Sequence, residues 1–474
     1  MSDKATRTQH DSLGEVAVPA GAYYGAQTAR AVENFPISGW RAHPEMVRAI
    51  ALVKRAAAEA NMALGELDPR LGQAIVQAAR EVADGRWREH FVIDVFQAGA
   101  GTSFNMNANE VIANRANEIL GGKLGDNKPV HPNDQVNMAQ STNDVYPTSM
   151  RVAALFLVAQ LLPVLDDLVL ALDDKAREFD HIIKAGRTHM QDAVPVRLGQ
   201  EFAAYGKAVA RGRARIQHAA EALKELNIGA TAAGTGLNSH PRYRDEVVRR
   251  LSEITGCDLQ PAGNLQEMTQ SASSYGEVSG ALRLLALELI RIANDLRLLS
   301  SGPRTGFGEI NLPPVQPGSS IMPGKVNPVM AEVLDMVCFQ VVGNDLTIAM
   351  AIQAGQLELN VMMPVINFNL LTSLEILRNV VRLFTDRCVK GITANEARAQ
   401  QLLEDSSALA TALNPYIGYE AAAKVAQEAV RTGKTIRQLV KEKGLLSQED
   451  LDRVLDPVGM TSPRPRLDVK PAQR

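Results

Sequence analysis

Apolar positions recur along this chain at helical spacing, and short polar, glycine-rich segments interrupt them. Leu155, Val158, Leu162, Leu165, Val169, Leu172, Ala176 and Phe179 are separated alternately by three and four residues. A seam sustained for more than three heptads predicts one long bundle helix. From Val145 to Phe179 it would extend about 50 Å at ~1.5 Å per residue. Pro163 is expected to kink it without ending it, because the pattern continues on both sides.

Similar periodicity runs through VRAIALVKRAAAEANMAL from Pro44, then Arg70 to Gly85, Leu198 to Leu226, Gln266 to Leu299, Val329 to Gln353 and Val365 to Phe384. The stretch GALRLLALELIRIANDLRLL is apolar nearly all round, which predicts burial among other helices. Residues 1–45 read as loop-rich, and no strand-like alternation of useful length is evident. The pattern predicts an all-α protein with a central bundle of about five long helices. The expected division is an N-terminal, mostly helical domain (1–142), a long-helix domain (143–394) and a small helical C-terminal domain (395–474). The last of these ends in a disordered tail, SPRPRLDVKPAQR. Helices this long and this apolar predict association with copies of the same chain.

Four polar segments punctuate the helices: 99–109, 131–144, 186–201 and 318–327. The last, GSSIMPGKVN, carries two glycines, a proline, two adjacent hydroxyls, a lysine and an asparagine. Gly and Pro break helices, so it reads as a loop whose small residues let backbone approach a small anion. It is not a nucleotide-binding P-loop. Five residues separate Gly318 from Gly324, and Val326 stands where Ser or Thr would be needed. The first segment, GAGTSFNMNANE, reads as a loop ahead of the helix EVIANRANEIL. Thr102, Ser103, Ser141, Thr142, Asn143, Thr188, Ser319, Ser320, Lys325 and Asn327 together supply neutral donors and one cation, a set suited to carboxylates. Plainer readings exist for single members. Ser141 to Asn143 could be a helix N-cap, Glu332 could simply favour a positive helix end, and His189 could be structural.

Composition narrows the classes. The net charge of −3 and pI near 6.3 give no reason to expect nucleic acid or an anionic membrane as partner. Aromatic residues are only 4%, which favours helices over sandwiches. Cys257, Cys338 and Cys388 are odd in number and lack CxxC spacing, so buried free thiols in a reducing cytoplasm are expected, and neither disulfides nor a zinc site. His131, His181 and His189 lack metal-ligand spacing, and no metal or cofactor is expected. The N-terminus has no apolar core of a signal peptide, and no run of about 18 uncharged apolar residues predicts a membrane span.

The segment GSSIMPGKVNP resembles the signature of the aspartase/fumarase superfamily. GAGTSFNMNANEV, HPND…QSTNDVYPT, GRTHMQDAVPVRLGQE and GATAAGTGLN resemble further family segments in the same order, so the resemblance runs from Gly14 to about Pro463. It implies three largely helical domains, a five-helix bundle, and a homotetramer with active sites assembled from three subunits. The reaction implied is reversible anti-elimination of a four-carbon dicarboxylate to fumarate, with Ser319 as the general base. Ser141, Thr142 and Ser320 would hold the carboxylate next to Cβ, and Lys325, Asn327 and Thr188 the other. Thr102, Asn143 and His189 would lie near the leaving group, with Glu332 orienting His189. His131, Asn133 and Asp134 match an accessory dicarboxylate site. Thr102-Ser103, Ser141-Thr142-Asn143, Tyr23-Tyr24-Gly25, Ile310 to Pro313 and Gly355 to Asn360 resemble aspartases more than fumarases. Met363 departs from the Glu usual in aspartases, which keeps fumarase as the alternative. A silent helical scaffold would be expected to lose Ser319, Lys325, Asn327 or His189, and all are present.

Overall fold

A computed structural model describes residues 5–469. Two short strands, β1 (Thr6–Asp11) and β2 (Gly14–Pro19), form an antiparallel hairpin. Then come α1 (Ala26–Asn34), α2 (Pro44–Ala63), α3 (Pro69–Ala83), α4 (Thr102–Ile119) and α5 (Thr142–Glu178). A second hairpin, β3 (Ile183–Thr188) and β4 (Gln191–Arg197), leads into α6 (Leu198–Ala220). The two-residue strands β5 (Glu225–Leu226) and β6 (Gln260–Pro261) flank α7 (Tyr243–Thr255). After α8 (Leu265–Gln270) and α9 (Ser273–Leu299) comes β7 (Ile310–Asn311), then α10 (Val329–Gln353) and α11 (Met363–Arg387). β8 (Thr393–Ala394) pairs with β7 and precedes α12 (Glu396–Asp405) and shorter C-terminal helices.

Among the described residues, five helices reach 23 residues or more: α5, α6, α9, α10 and α11. Their bounds follow the periodic stretches closely, and α5 passes through Pro147 and Pro163 unbroken. Caps explain several starts. His43 accepts from the Glu45 N–H ahead of α2, and Asp68 accepts from the Arg70 and Leu71 N–H groups ahead of α3, each followed by a proline at the first helical position.

The chain divides into two compact units. The first comprises residues 1–163, 212–287 and 337–379. Its core includes Met46, Ile50, Val53 and Ala57 of α2 with Ile75, Ala78, Ala79 and Val82 of α3, all buried. α4 is amide-rich, yet Asn105, Asn107, Asn109, Asn114 and Asn117 are buried, each placed in hydrogen bonds by the surrounding loops. The second unit comprises residues 164–211, 288–336 and 380–474. There Leu403, Leu409, Leu413, Val425, Leu439 and Val440 form a C-terminal core that reaches Ala185 of β3.

Three expectations are corrected. Residues 6–19 form a hairpin, not loop. Thr102–Asn109 is the start of α4, because its amides bond across the fold and leave the helical backbone intact. Residues 186–201 are the end of β3, β4 and the start of α6. No alternation announced that hairpin, because its partners are cross-strand groups and a buried ion cluster, not one apolar face. Cys338 and Cys388 are buried as expected, whereas Cys257 is half-buried. Residues 463–469 have no regular structure, and the rest of the tail lies outside the described residues. α5 and α10 carry 18-residue windows apolar enough to pass for membrane spans by composition, a consequence of their packing faces.

Candidate active site

In the first unit, the polar residues cluster at the N-termini of α4 and α5. Thr102 opens α4 and is exposed, with Gly101 before it at a φ of +86°. A Cβ at Gly101 would stand 2.3 Å from the Tyr146 ring, so only glycine lets this backbone lie against that residue. Ser141 caps α5. Its Oγ accepts from the Asn143 N–H at 3.2 Å, and its own N–H donates to Asp144 Oδ1 at 3.0 Å. The capping role is therefore real, and it orients Thr142 and Asn143. Thr142 Oγ1 accepts from Asn105 Nδ2 at 2.9 Å, and Asn143 Nδ2 donates to the Ala232 carbonyl at 2.8 Å.

Beneath these donors lies a buried network that the sequence reading missed. Lys54, fully buried, donates to Asn137 Oδ1 at 2.9 Å and to Gln140 Oε1 at 2.8 Å. Asn137 Oδ1 also accepts from Asn105 and Asn109. Asp144, fully buried, accepts from the Gly229 N–H at 3.0 Å and the Thr231 N–H at 2.9 Å, which ties the glycine-rich 229–238 bend to α5. Burial pushes Asp144 up to about 7 against the pull of its backbone donors and of Lys54. Burial likewise pushes Lys54 down to about 7, opposed by the Asp144 charge. A lysine inside the apolar run ALVKRAAAEAN was the one local sign of this network.

The segment Gln356–Val361 also belongs here. Gln356 and Leu359 pair across a tight turn in which Leu357 takes a φ of +50°, and the Ala100 N–H donates to the Val361 carbonyl at 2.8 Å. His131 sits apart from these groups in its bonding. Its Nδ1 accepts from the Asn133 and Asp134 N–H groups at 3.3 and 3.4 Å and so caps a single helical turn.

In the second unit, Thr188, His189, Met190 and Gln191 form the β3–β4 turn. His189 and Met190 have φ values of +54° and +59°. Positive φ at both central residues is what a two-residue type I′ hairpin turn requires, so this backbone closes β3 onto β4. Thr188 and His189 are both exposed. The loop 318–327 is closed by its own bonds. The Gly318 N–H donates to the Lys325 carbonyl at 2.8 Å, and Asn327 Nδ2 donates to the Gly318 carbonyl at 2.6 Å. A Cβ on Gly318 would lie 2.5 Å from that Lys325 oxygen. Ser319 Oγ accepts from the N–H groups of Ile321 at 3.2 Å and Met322 at 2.9 Å. Two aligned donors stabilise negative charge on this oxygen, which is what a serine needs to act as a base. Ser320 and Lys325 are exposed, and a shallow cavity of about 370 Å³ opens beside Ser319, Met322 and Lys325. Glu332 lies in the first turn of α10, and it makes no hydrogen bond or ion pair with His189 within the chain. Among the described residues no cluster of three or more His, Cys, Asp or Glu side chains is arranged to hold a metal ion.

A long-helix fold, a glycine-rich loop in which Ser319 accepts two backbone N–H bonds beside a lysine, and hydroxyl and amide donors at helix N-termini suit a small carboxylate. A Lyase family model matches residues 14–343, and a Fumarase C C-terminus model matches residues 409–462. The chain belongs to this aspartase/fumarase superfamily and has its all-α fold. It is 53% identical over 460 residues to an aspartate ammonia-lyase of Bacillus subtilis (strain 168), covering 97% of each chain. It is 48% identical over 461 residues to a class II fumarate hydratase of Brucella suis biovar 1, covering 97% of this chain and 100% of that one. The crystal structure titled fumarate lyase:delta crystallin from Brucella melitensis bound to cobalt superposes with a TM-score of 0.94 at 50% identity, covering 97% and 100% of the two chains.

Proposed function

We propose that this protein is an aspartate ammonia-lyase, eliminating ammonia reversibly from L-aspartate to give fumarate. The observation that carries the reading is Ser319 Oγ held by two backbone N–H groups beside Lys325. Ser319 removes a proton from Cβ, and the two N–H groups stabilise the alkoxide that does so. The electrons move into the adjacent carboxylate, which becomes a dianionic aci-carboxylate. Ser141, Thr142 and Ser320 donate to that group, where donors strengthen as charge develops. Lys325, Asn327 and Thr188 hold the second carboxylate. Thr102, Asn143 and His189 surround the departing amine, and Glu332 orients His189.

Such a site needs groups from several chains. His189 and Glu332 are unpaired with one another in one chain, and we infer a homotetramer in which copies bring them together. An exposed stripe on α10 supports this. Met336, Phe339, Leu346 and Met350 are 64%, 58%, 65% and 59% exposed, and Gly343 lies between them at the same spacing. The domain division at 142/143 and 394/395, where α5 begins and β8 ends, is part of the same reading, as is a cytoplasmic location. His131, Asn133 and Asp134 would form the accessory dicarboxylate site.

The fumarate hydratase relative, at 48% identity, and Met363 in place of the Glu usual in aspartases favour a second reading: hydration of fumarate to L-malate. Incubation with L-aspartate or with L-malate, following fumarate absorbance, decides between them. Fumarate from aspartate is expected; fumarate from malate alone would replace the first reading with the second.

A further inference from the structure

Behind the Thr188–His189 turn, the second unit holds four charges that the proposed chemistry does not use, Lys184 and Glu309 buried and Arg187 and Glu201 half-buried. Arg187 donates through both terminal nitrogens to Glu309, at 2.9 and 3.2 Å. Lys184 Nζ stands 3.4 Å from Glu309 and 3.0 Å from Glu201, and it also donates to the Ala185 carbonyl at 3.1 Å. Phe307 closes the cluster, its ring 4.1 Å from the Arg187 guanidinium carbon. Glu309 is 0% and Lys184 1% exposed. Burying ions costs several kcal/mol each before their attraction is counted, and apolar residues of the same volume commonly serve stability as well. Stability alone therefore does not explain the cluster.

Its position does. Arg187 immediately precedes Thr188 on β3, next to the two-residue turn in which His189 and Met190 hold positive φ. Glu309 immediately precedes β7, from which the chain runs directly to Gly318 and Ser319. The Glu309 backbone is itself pinned: its N–H donates to the Leu299 carbonyl at 2.9 Å, and its carbonyl accepts from the Asn395 N–H at 2.8 Å. A bidentate guanidinium–carboxylate pair fixes orientation as well as distance. We propose that Arg187 and Glu309, with Lys184 and Glu201, are positioning residues that hold the Thr188–His189 turn and the root of the Ser319 loop in one frame. This rests on the reading above, in which Thr188 and His189 on one side of the frame and Ser319 on the other each meet substrate in sites that other copies of the chain complete.

Arg187→Lys keeps the charge but loses the paired donors and the ring stacking; Glu309→Gln keeps the shape but loses the charge. Each is expected to lower kcat for fumarate formation by about 10- to 100-fold with a smaller change in KM, the scale of a misplacement near 1 Å. Amide exchange should rise in residues 186–192 and 312–320 and stay unchanged in the C-terminal helices after residue 396. Arg115→Lys, which loosens a comparable ion pair with Glu81 in the first unit, should leave kcat and both segments unchanged. Variants with kcat within twofold of the parent and no change in exchange at either segment would overturn the proposal. So would exchange that rises uniformly across the second unit, the mark of a merely structural cluster. A parent that forms fumarate from neither substrate would refute the functional reading instead, and the exchange measurement would still decide the positioning role.

Discussion

The segments 141–144 and 318–327 are both polar, one opening a long helix and the other preceding one, and are held in opposite ways. Ser141 to Asp144 rests on the fold. Asp144 is buried on donors from the 229–231 bend, and Thr142 is gripped by Asn105 above the Lys54 network. The loop around Ser319 rests on itself. Its bonds run from Gly318 to Lys325 and Asn327 and from Ser319 to Ile321 and Met322, while Ile321, Met322 and Val326 are exposed. A floor built into the core is pre-organised but carries buried ionisable groups with displaced pKa values. A loop closed by its own backbone can move as a unit and keep both N–H bonds on its Ser319 oxygen. Substitutions in the second should therefore change catalysis without stability, and those in the first should change stability as well.

The largest effect is expected at Ser319. Ser319→Ala should reduce kcat by about 10²–10⁴-fold, the usual worth of a positioned base, with an unchanged thermal midpoint. Near-full turnover in steady-state assays would remove Ser319 from its role. Lys325→Met comes next. Loss of a charged hydrogen bond, worth about 1.5–3 kcal/mol, should raise KM for L-aspartate by roughly 10- to 100-fold, again without destabilisation in urea titrations. Lys54→Met should do the reverse of Lys325→Met. It strands Gln140 Oε1, while Asn137 keeps its bonds from Asn105 and Asn109, and should lower unfolding free energy by about 1–3 kcal/mol. A urea midpoint equal to the parent's would mean the floor does not depend on the network.

The smallest and most discriminating effect concerns pH. Asp144 is raised from 3.8 to about 7, so the folded state holds its proton more tightly, and its contribution to stability is lost as pH rises through that interval. Lys54 is lowered from 10.5 to about 7, so its cost is relieved as pH rises above about 7. The parent-minus-variant difference in thermal midpoint for Asp144→Asn should therefore decline between pH 4 and pH 7, as expected of an acid protonated in the fold. A difference that is flat or rising over that range would show that Asp144 stays ionised in the folded protein.

Much of the molecule was legible beforehand because helices are local. Heptad spacing alone set α5, and the ends of α10 fell at Val329 and Gln353, where the apolar periodicity stops. The Ser319 loop was equally legible, since glycines, a proline and adjacent hydroxyls need no distant partner to form it. What the chain order could not reveal is whatever depends on contacts far apart in sequence. The β3–β4 hairpin has no alternating apolar face, and it stands against Glu309, more than a hundred positions away. The Lys54 network joins α2, α4 and the segment ahead of α5 through amides that individually look like surface residues. Local spacing thus determined the helices and the glycine-rich loop, while the reaction class was implied by the family resemblance of that loop and its companion segments. Tertiary structure decided which charges are buried, because desolvation and long-range pairing exist only once distant segments have met.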